Sequence, residues 1–101
     1  MTAHSEQITD SLRSSYEATP YHGGAISGTH PDVLATVGCL RGMSPPSIAN
    51  CRVLELGCGT GDNLVPMALS LPGASLLGID LSPRQVQMAR EFADAVGLSN
   101  V

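Results

Sequence analysis

The chain has 101 residues, 43% of them hydrophobic, with 9 acidic against 5 basic residues for a net charge of −4. That is the size and apolar content of one small globular domain, and extensive disorder is excluded. With no lysine and its arginines scattered singly, the chain carries no footprint for nucleic acid. One Phe, two Tyr and no Trp leave an aliphatic core as the way to pack it. Cys39, Cys51 and Cys58 lack C-x-x-C spacing, so reduced, mostly buried thiols are expected and no metal site is indicated. The first 13 residues have neither a basic nor an apolar segment of the signal-peptide kind, and no apolar run approaches the roughly 20 residues that span a bilayer. A cytoplasmic protein without a membrane partner is expected.

In chain order, residues 5–17 place Ile8, Leu12 and Tyr16 four apart on one helical face, with Ser5 as N-cap. Pro20 and the pair Gly23 and Gly24 then break the helix, giving a flexible connection as far as Gly28. A second helix is predicted over 31–40, entered at Thr29-His30-Pro31-Asp32, with Pro31 in the first turn and Asp32 complementing the dipole. Val33, Leu34, Val37 and Leu40 form its apolar stripe, suited to packing on a sheet, and Gly42 is the stop. Ser44-Pro45-Pro46-Ser47 reads as a linker, so residues 1–46 are an N-terminal helical arm and 47–101 an α/β unit.

The α/β unit begins with Arg52-Val53-Leu54-Glu55-Leu56, a short apolar run of the kind found in parallel strands covered on both faces. After the turn Gly57-Cys58-Gly59-Thr60-Gly61, a helix apolar nearly all round carries Leu64, Val65, Met67, Ala68, Leu69 and Leu71, with Pro66 in its first turn. Residues 75–80 read as a second buried strand ending on the carboxylate of Asp80. Ser82-Pro83-Arg84-Gln85 is a capping box, followed by the stripe Val86, Ala89, Ala93 and Val96 and the stop Gly97. Residues 98–101 look like the lead-in to a third strand. The fold class is α/β, a Rossmann-like parallel sheet with flanking helices. It is apparently incomplete, because two buried-type strands leave both sheet edges and an apolar face without partners.

Three glycines at alternate positions remove the Cβ at every second residue of a turn that joins a strand to a helix, which lets a ligand touch the backbone. Asp80, 19 residues after Gly61, ends the next strand, where a carboxylate accepts hydrogen bonds from both ribose hydroxyls of an adenosine-type ligand. In a dinucleotide fingerprint the third glycine would fall on Asp62, whose charge opposes a pyrophosphate, so NAD and FAD are disfavoured. A P-loop is excluded because no Gly-Lys-Ser/Thr follows.

Glu55-Leu56-Gly57-Cys58-Gly59-Thr60-Gly61 resembles motif I of the class I S-adenosylmethionine-dependent methyltransferases, and Gly78-Ile79-Asp80-Leu81-Ser82 resembles their next motif. The resemblance implies S-adenosylmethionine as cofactor, bound through Glu55, Gly57, Cys58, Gly59, Gly61, Asp80 and Leu81. In it the glycine loop passes along the methionine part, Asp80 holds the ribose and Leu81 contacts adenine, while Glu55 and Asp62 suit a ligand bearing a sulfonium and an ammonium. The blocks at 16–21, 29–31 and 63–68 resemble a bacterial group whose catalytic domain is followed by a so-called regulatory domain, some members of which methylate protein lysines. Residues 26–28 depart from that group's pattern. The implied function is methyl transfer to an acceptor, protein lysine or small molecule, that the sequence does not identify.

No catalytic residue is assigned. Cys58 reads as a small filler contributing its backbone N–H, His30 as a helix-entry residue in preference to a general base, and Tyr16 and Tyr21 as anchors of the arm in preference to a lid. Two other readings of the chain are a truncated, non-catalytic nucleotide-binding or interaction module, and an NAD(P)-dependent oxidoreductase fragment, for which only Asp80 and two glycines fit.

Overall fold

The computed structural model describes residues 2–18 and 23–101. Four helices, α1 (Ala3–Ala18), α2 (Pro31–Leu40), α3 (Leu64–Ser70) and α4 (Pro83–Ala95), accompany two strands, β1 (Arg52–Leu56) and β2 (Ser75–Ile79). The strands pair in parallel, Arg52 opposite Ser75 through Leu56 opposite Ile79. The fold is a small α/β unit built on β1-α3-β2-α4, as the alternation of apolar runs and glycine turns requires.

The register divides the sheet into two unlike faces. Val53, Glu55, Leu76 and Gly78 share one face, since side chains alternate along a strand. Against it lie Leu64, Met67, Ala68 and Leu71 of α3 and its exit, which with Cys51, Ala74 and Leu76 make the buried core. Gly78 permits this approach: a Cβ there would stand 2.7 Å from Leu64 Cδ2 and 2.8 Å from Cys58 Sγ. Leu54, Leu56, Leu77 and Ile79 occupy the opposite face and are exposed, Leu56 by 70% and Leu77 by 61%. The expectation of strands covered on both faces is therefore met on one face only among the described residues. Leu69 of α3 is likewise exposed, although its helix is otherwise apolar toward the core.

Local signals fixed most helix boundaries, with three corrections. In α1 it is Thr2, not Ser5, whose side chain accepts the Ser5 N–H, at 3.3 Å, while the Ser5 hydroxyl donates back to the Thr2 carbonyl at 2.7 Å. In α4 the Ser82 hydroxyl accepts the Gln85 N–H at 3.3 Å, but the Ser82 N–H goes to Asp80 Oδ1 at 2.9 Å. Asp80 thus takes the reciprocal role that a capping box assigns to Gln85. The stripe of α2 does not pack on the sheet: Val33, Leu34, Val37 and Leu40 are all exposed, and α2 buries Pro31 and Gly38 instead. Gly42 and Gly97 stop α2 and α4 with φ of +83° and +73°, the left-handed geometry that favours glycine.

Past Gly97 the chain returns to the sheet. The Leu76 N–H donates to the Asn100 carbonyl at 2.8 Å, which places residue 100 alongside β2. The Asn100 side-chain amide donates to the carbonyls of Ala68, Leu71 and Ala74 at 3.0–3.2 Å, satisfying the end of α3 and the turn after it. The expected readings of Tyr21 and of the Tyr16 side chain lie outside the described residues.

Candidate cofactor site

The turn after β1 is held by its own backbone. Gly57, Gly59 and Gly61 have φ of +72°, +56° and +81°, so three left-handed residues alternate with ordinary ones, and a Cβ would be strained at each. Gly57 N–H and Cys58 N–H both donate to the Ile79 carbonyl, at 2.8 and 3.0 Å, tying the turn to the end of β2. Gly59 N–H donates to Asp80 Oδ2 at 2.9 Å and Gly61 N–H to the Cys58 carbonyl at 3.0 Å. The amide of Cys58, expected to face a ligand, is therefore committed to the fold. At Gly57 and Gly59 the turn presents bare backbone.

That surface forms one wall of a cavity of about 400 Å³ lined by Glu55, Gly57, Cys58, Gly59, Thr60, Asp62 and Asn63 on one side and by residues 23–26 on the other. Among the described residues two carboxylates and no basic side chain line it, so it suits a cation and opposes a phosphate. The Asp62 carboxylate accepts the Thr60 hydroxyl at 2.8 Å. Glu55 is divided: Oε1 accepts the Asn63 amide at 2.7 Å, whereas Oε2 is buried and has no partner among the described residues. A buried carboxylate oxygen without a donor is unfavourable unless something brings one, and an ammonium does.

The residues singled out in the sequence separate into three places. Glu55, Gly57, Cys58 and Gly59 meet at the cavity. Gly61 lies behind it, where a Cβ would stand 3.0 Å from Val65 Cγ2 and 3.1 Å from Ala89 Cβ, so its small size serves the packing of turn against helices. Asp80 stands at the side of the turn, one oxygen on Gly59 and the other on Ser82, with lone pairs remaining on each. Leu81 follows it, half-buried, its carbonyl accepting Arg13 Nε of α1 at 3.3 Å. Neither Asp80 nor Leu81 lines the cavity of Glu55.

His30 is away from this cavity. Its ring caps α2 beside Asp32, with Nδ1 2.6 Å from Asp32 Oδ1, and its Nε2 lies 2.8 Å from the Ser70 hydroxyl of α3. It joins two helices, as a helix-entry residue does. Burial, with the carboxylates of Asp80 and Glu55 adding to it, pushes the Cys58 thiol above its ordinary value, so the group remains a thiol near neutrality.

Two contributors escaped sequence reading. Asn63 binds Glu55 and also accepts the Ile26 N–H at 2.8 Å, a contact 37 residues away in sequence. The second is the 23–26 wall, whose glycine pair signalled only a break in the helix. The remaining signal for Asn63 was its place just after the turn, where a side-chain cap of α3 is the ordinary use; here it makes none.

A parallel β1-α3-β2 frame with a left-handed glycine turn at the end of β1 defines a Rossmann-like α/β class. A family profile described as a methyltransferase domain matches residues 48–101, and the chain belongs to that family. An uncharacterized protein of Rickettsia prowazekii is 38% identical over 86 residues, which cover 85% of this chain and 16% of that protein. The ribosomal protein L11 methyltransferase of Erwinia tasmaniensis is 35% identical over 74 residues, 73% of this chain and 24% of that enzyme. Among solved structures, PKMT2 from Rickettsia typhi in complex with AdoHcy superposes with a TM-score of 0.76 at 36% identity, over 81% of this chain and 16% of that one. The fold is accordingly a portion of a Rossmann-like methyltransferase fold, and the chain spans 16–24% of the length of these relatives.

Proposed function

We propose that this chain forms the cofactor-binding part of an S-adenosylmethionine-dependent methyltransferase. The observation that carries the reading is the unpartnered Oε2 of Glu55 beside a glycine-rich turn, in a cavity whose lining charges among the described residues are all negative. When bound, S-adenosylmethionine supplies an electrophilic methyl group on a sulfonium. Glu55 would hold its ammonium, the backbone of Gly57, Cys58 and Gly59 would border its methionine part, Asp80 would take the ribose hydroxyls through its remaining lone pairs, and Leu81 would lie against adenine. Gly61 would serve by letting the turn sit close on α4.

The chain's own groups do three things in this reading. Glu55 and Asp62 stabilise a cation electrostatically in a site partly shielded from water. The fixed turn, tied to Ile79 and Asp80, orients what it touches, and displacement at a sulfonium depends mainly on such alignment. Keeping Cys58 protonated removes a thiolate that would otherwise compete for the methyl group. The acceptor we propose is a nucleophile on a protein, a lysine amine first, because the L11 relatives act by name on a ribosomal protein. Three free thiols support a reducing, cytoplasmic setting, and no helix among the described residues is long and apolar enough to cross a membrane.

Isothermal titration of the full-length protein with S-adenosylhomocysteine tests the reading. Saturable binding is expected, weakened roughly 10- to 100-fold by Asp80→Ala or Glu55→Ala as hydrogen bonds to charged groups are lost. No binding at high micromolar concentration, with Asp80→Ala indistinguishable from the parent, would remove it.

A further inference from the structure

Asn63 precedes α3, yet its side chain leaves the helix uncapped and is used in three other directions. Nδ2 donates to Glu55 Oε1 at 2.7 Å and to Thr29 Oγ1 at 3.0 Å, and Oδ1 accepts the Ile26 N–H at 2.8 Å. The orientation of the amide is fixed by its neighbours, since an N–H can only donate and a carboxylate only accept. The Thr29 hydroxyl has its own proton on the Ile26 carbonyl at 2.9 Å, so it is the acceptor toward Asn63. One amide therefore joins β1, the turn and the segment 26–29.

The turn cannot replace it. Gly57, Cys58 and Gly59 have given their N–H groups to Ile79 and Asp80, which leaves Asn63 as the hydrogen-bond donor on Glu55 among the described residues. With Oε1 held by the Asn63 amide, the carboxylate has a defined rotamer, and Oε2 is the oxygen left for a cation. The same amide fixes Ile26, and residues 23–26 are the far wall of the cavity.

We infer that Asn63 is a positioning residue that makes the ammonium subsite conditional on the arm: it orients Glu55 and latches residues 26–29 across the cavity in one network. The inference rests on the S-adenosylmethionine reading. Its consequence is selectivity for the aminoacyl end of the ligand, separate from affinity for the nucleoside end at Asp80.

The test compares two probes on the full-length protein: S-adenosylhomocysteine, which carries the ammonium, and methylthioadenosine, which has the nucleoside but no amino acid. Asn63→Ala should weaken S-adenosylhomocysteine roughly 10- to 100-fold, the loss of a hydrogen bond to a charged group, while methylthioadenosine changes by less than about threefold. In a Glu55→Gln background the same substitution should add less than about threefold, because the two residues act as one unit. Equal weakening of both probes, or no weakening of S-adenosylhomocysteine, overturns the inference while leaving the cofactor reading intact. A parent protein that binds neither probe overturns both. If Asn63→Ala does not fold, hydrogen exchange on the parent decides: S-adenosylhomocysteine should slow exchange at Ile26 and methylthioadenosine should not, and equal slowing by both overturns the latch.

Discussion

The two faces of the sheet have opposite surroundings, and the covered one, with Val53, Glu55, Leu76 and Gly78, is the less apolar of the two. On one, Leu76 is 4% exposed beneath α3, and even a glycine, Gly78, is needed to let Leu64 and Cys58 close on the strand. On the other, Leu54, Leu56, Leu77 and Ile79 form an apolar surface left 48–70% exposed by the described residues. The contrast shows that apolar patterning states what a strand needs, and the neighbouring elements decide whether the need is met. Glu55 lies on the covered face, beside α3, where its Oε2 is buried without a partner among the described residues.

Substitutions test that contrast directly. Leu76→Ala should lower the unfolding free energy by about 2–5 kcal/mol in chemical denaturation, because the residue lies in the closed core. Gly78→Ala should lower it by about 1–3 kcal/mol, since Leu64 and Cys58 must move aside for one methyl group. A chemical form of the same comparison uses cysteines. At pH 7.5 an alkylating reagent should modify Cys58 at least about tenfold more slowly than the exposed Cys39, and Cys58 should speed up only as pH rises beyond its ordinary value of 9.0. The raised thiol contributes stability that is present below that value and fades above it, as the unfolded thiol ionises first. Smallest of all, Leu56→Ala or Leu77→Ala in this 101-residue chain should change stability by no more than about 0.5 kcal/mol. A loss of core size there would mean that the face is covered in solution.

What could be read from sequence was what is decided locally. The bounds of α2 follow from Pro31 and Gly42, β1 from a five-residue apolar run, and the turn from glycines whose φ values are all positive. The start of α1 was misplaced by competition between two good caps three residues apart, Thr2 and Ser5. The α2 stripe had the period of a packed helix, but period cannot say whether a partner is present. At the site, Glu55 and the glycines were legible because strand and turn adjoin in sequence. Asn63 was not, since its meaning depends on Ile26 and Thr29 arriving from the arm. The backbone amide of Cys58 was misjudged for a related reason: its acceptor, Ile79, belongs to the next strand.

Asn100 gives this architecture an order in time. Three carbonyls at the exit of α3 depend on its amide, and the Leu76 amide depends on its carbonyl. During synthesis the chain emerges from its first residue onward. The glycine turn and the helix after it are complete in sequence by residue 70, yet the corner between that helix and β2 is finished only when residue 100 has left the ribosome. A nascent chain arrested before that point should hold the corner open, and protease cleavage near Pro72 would report the moment it closes.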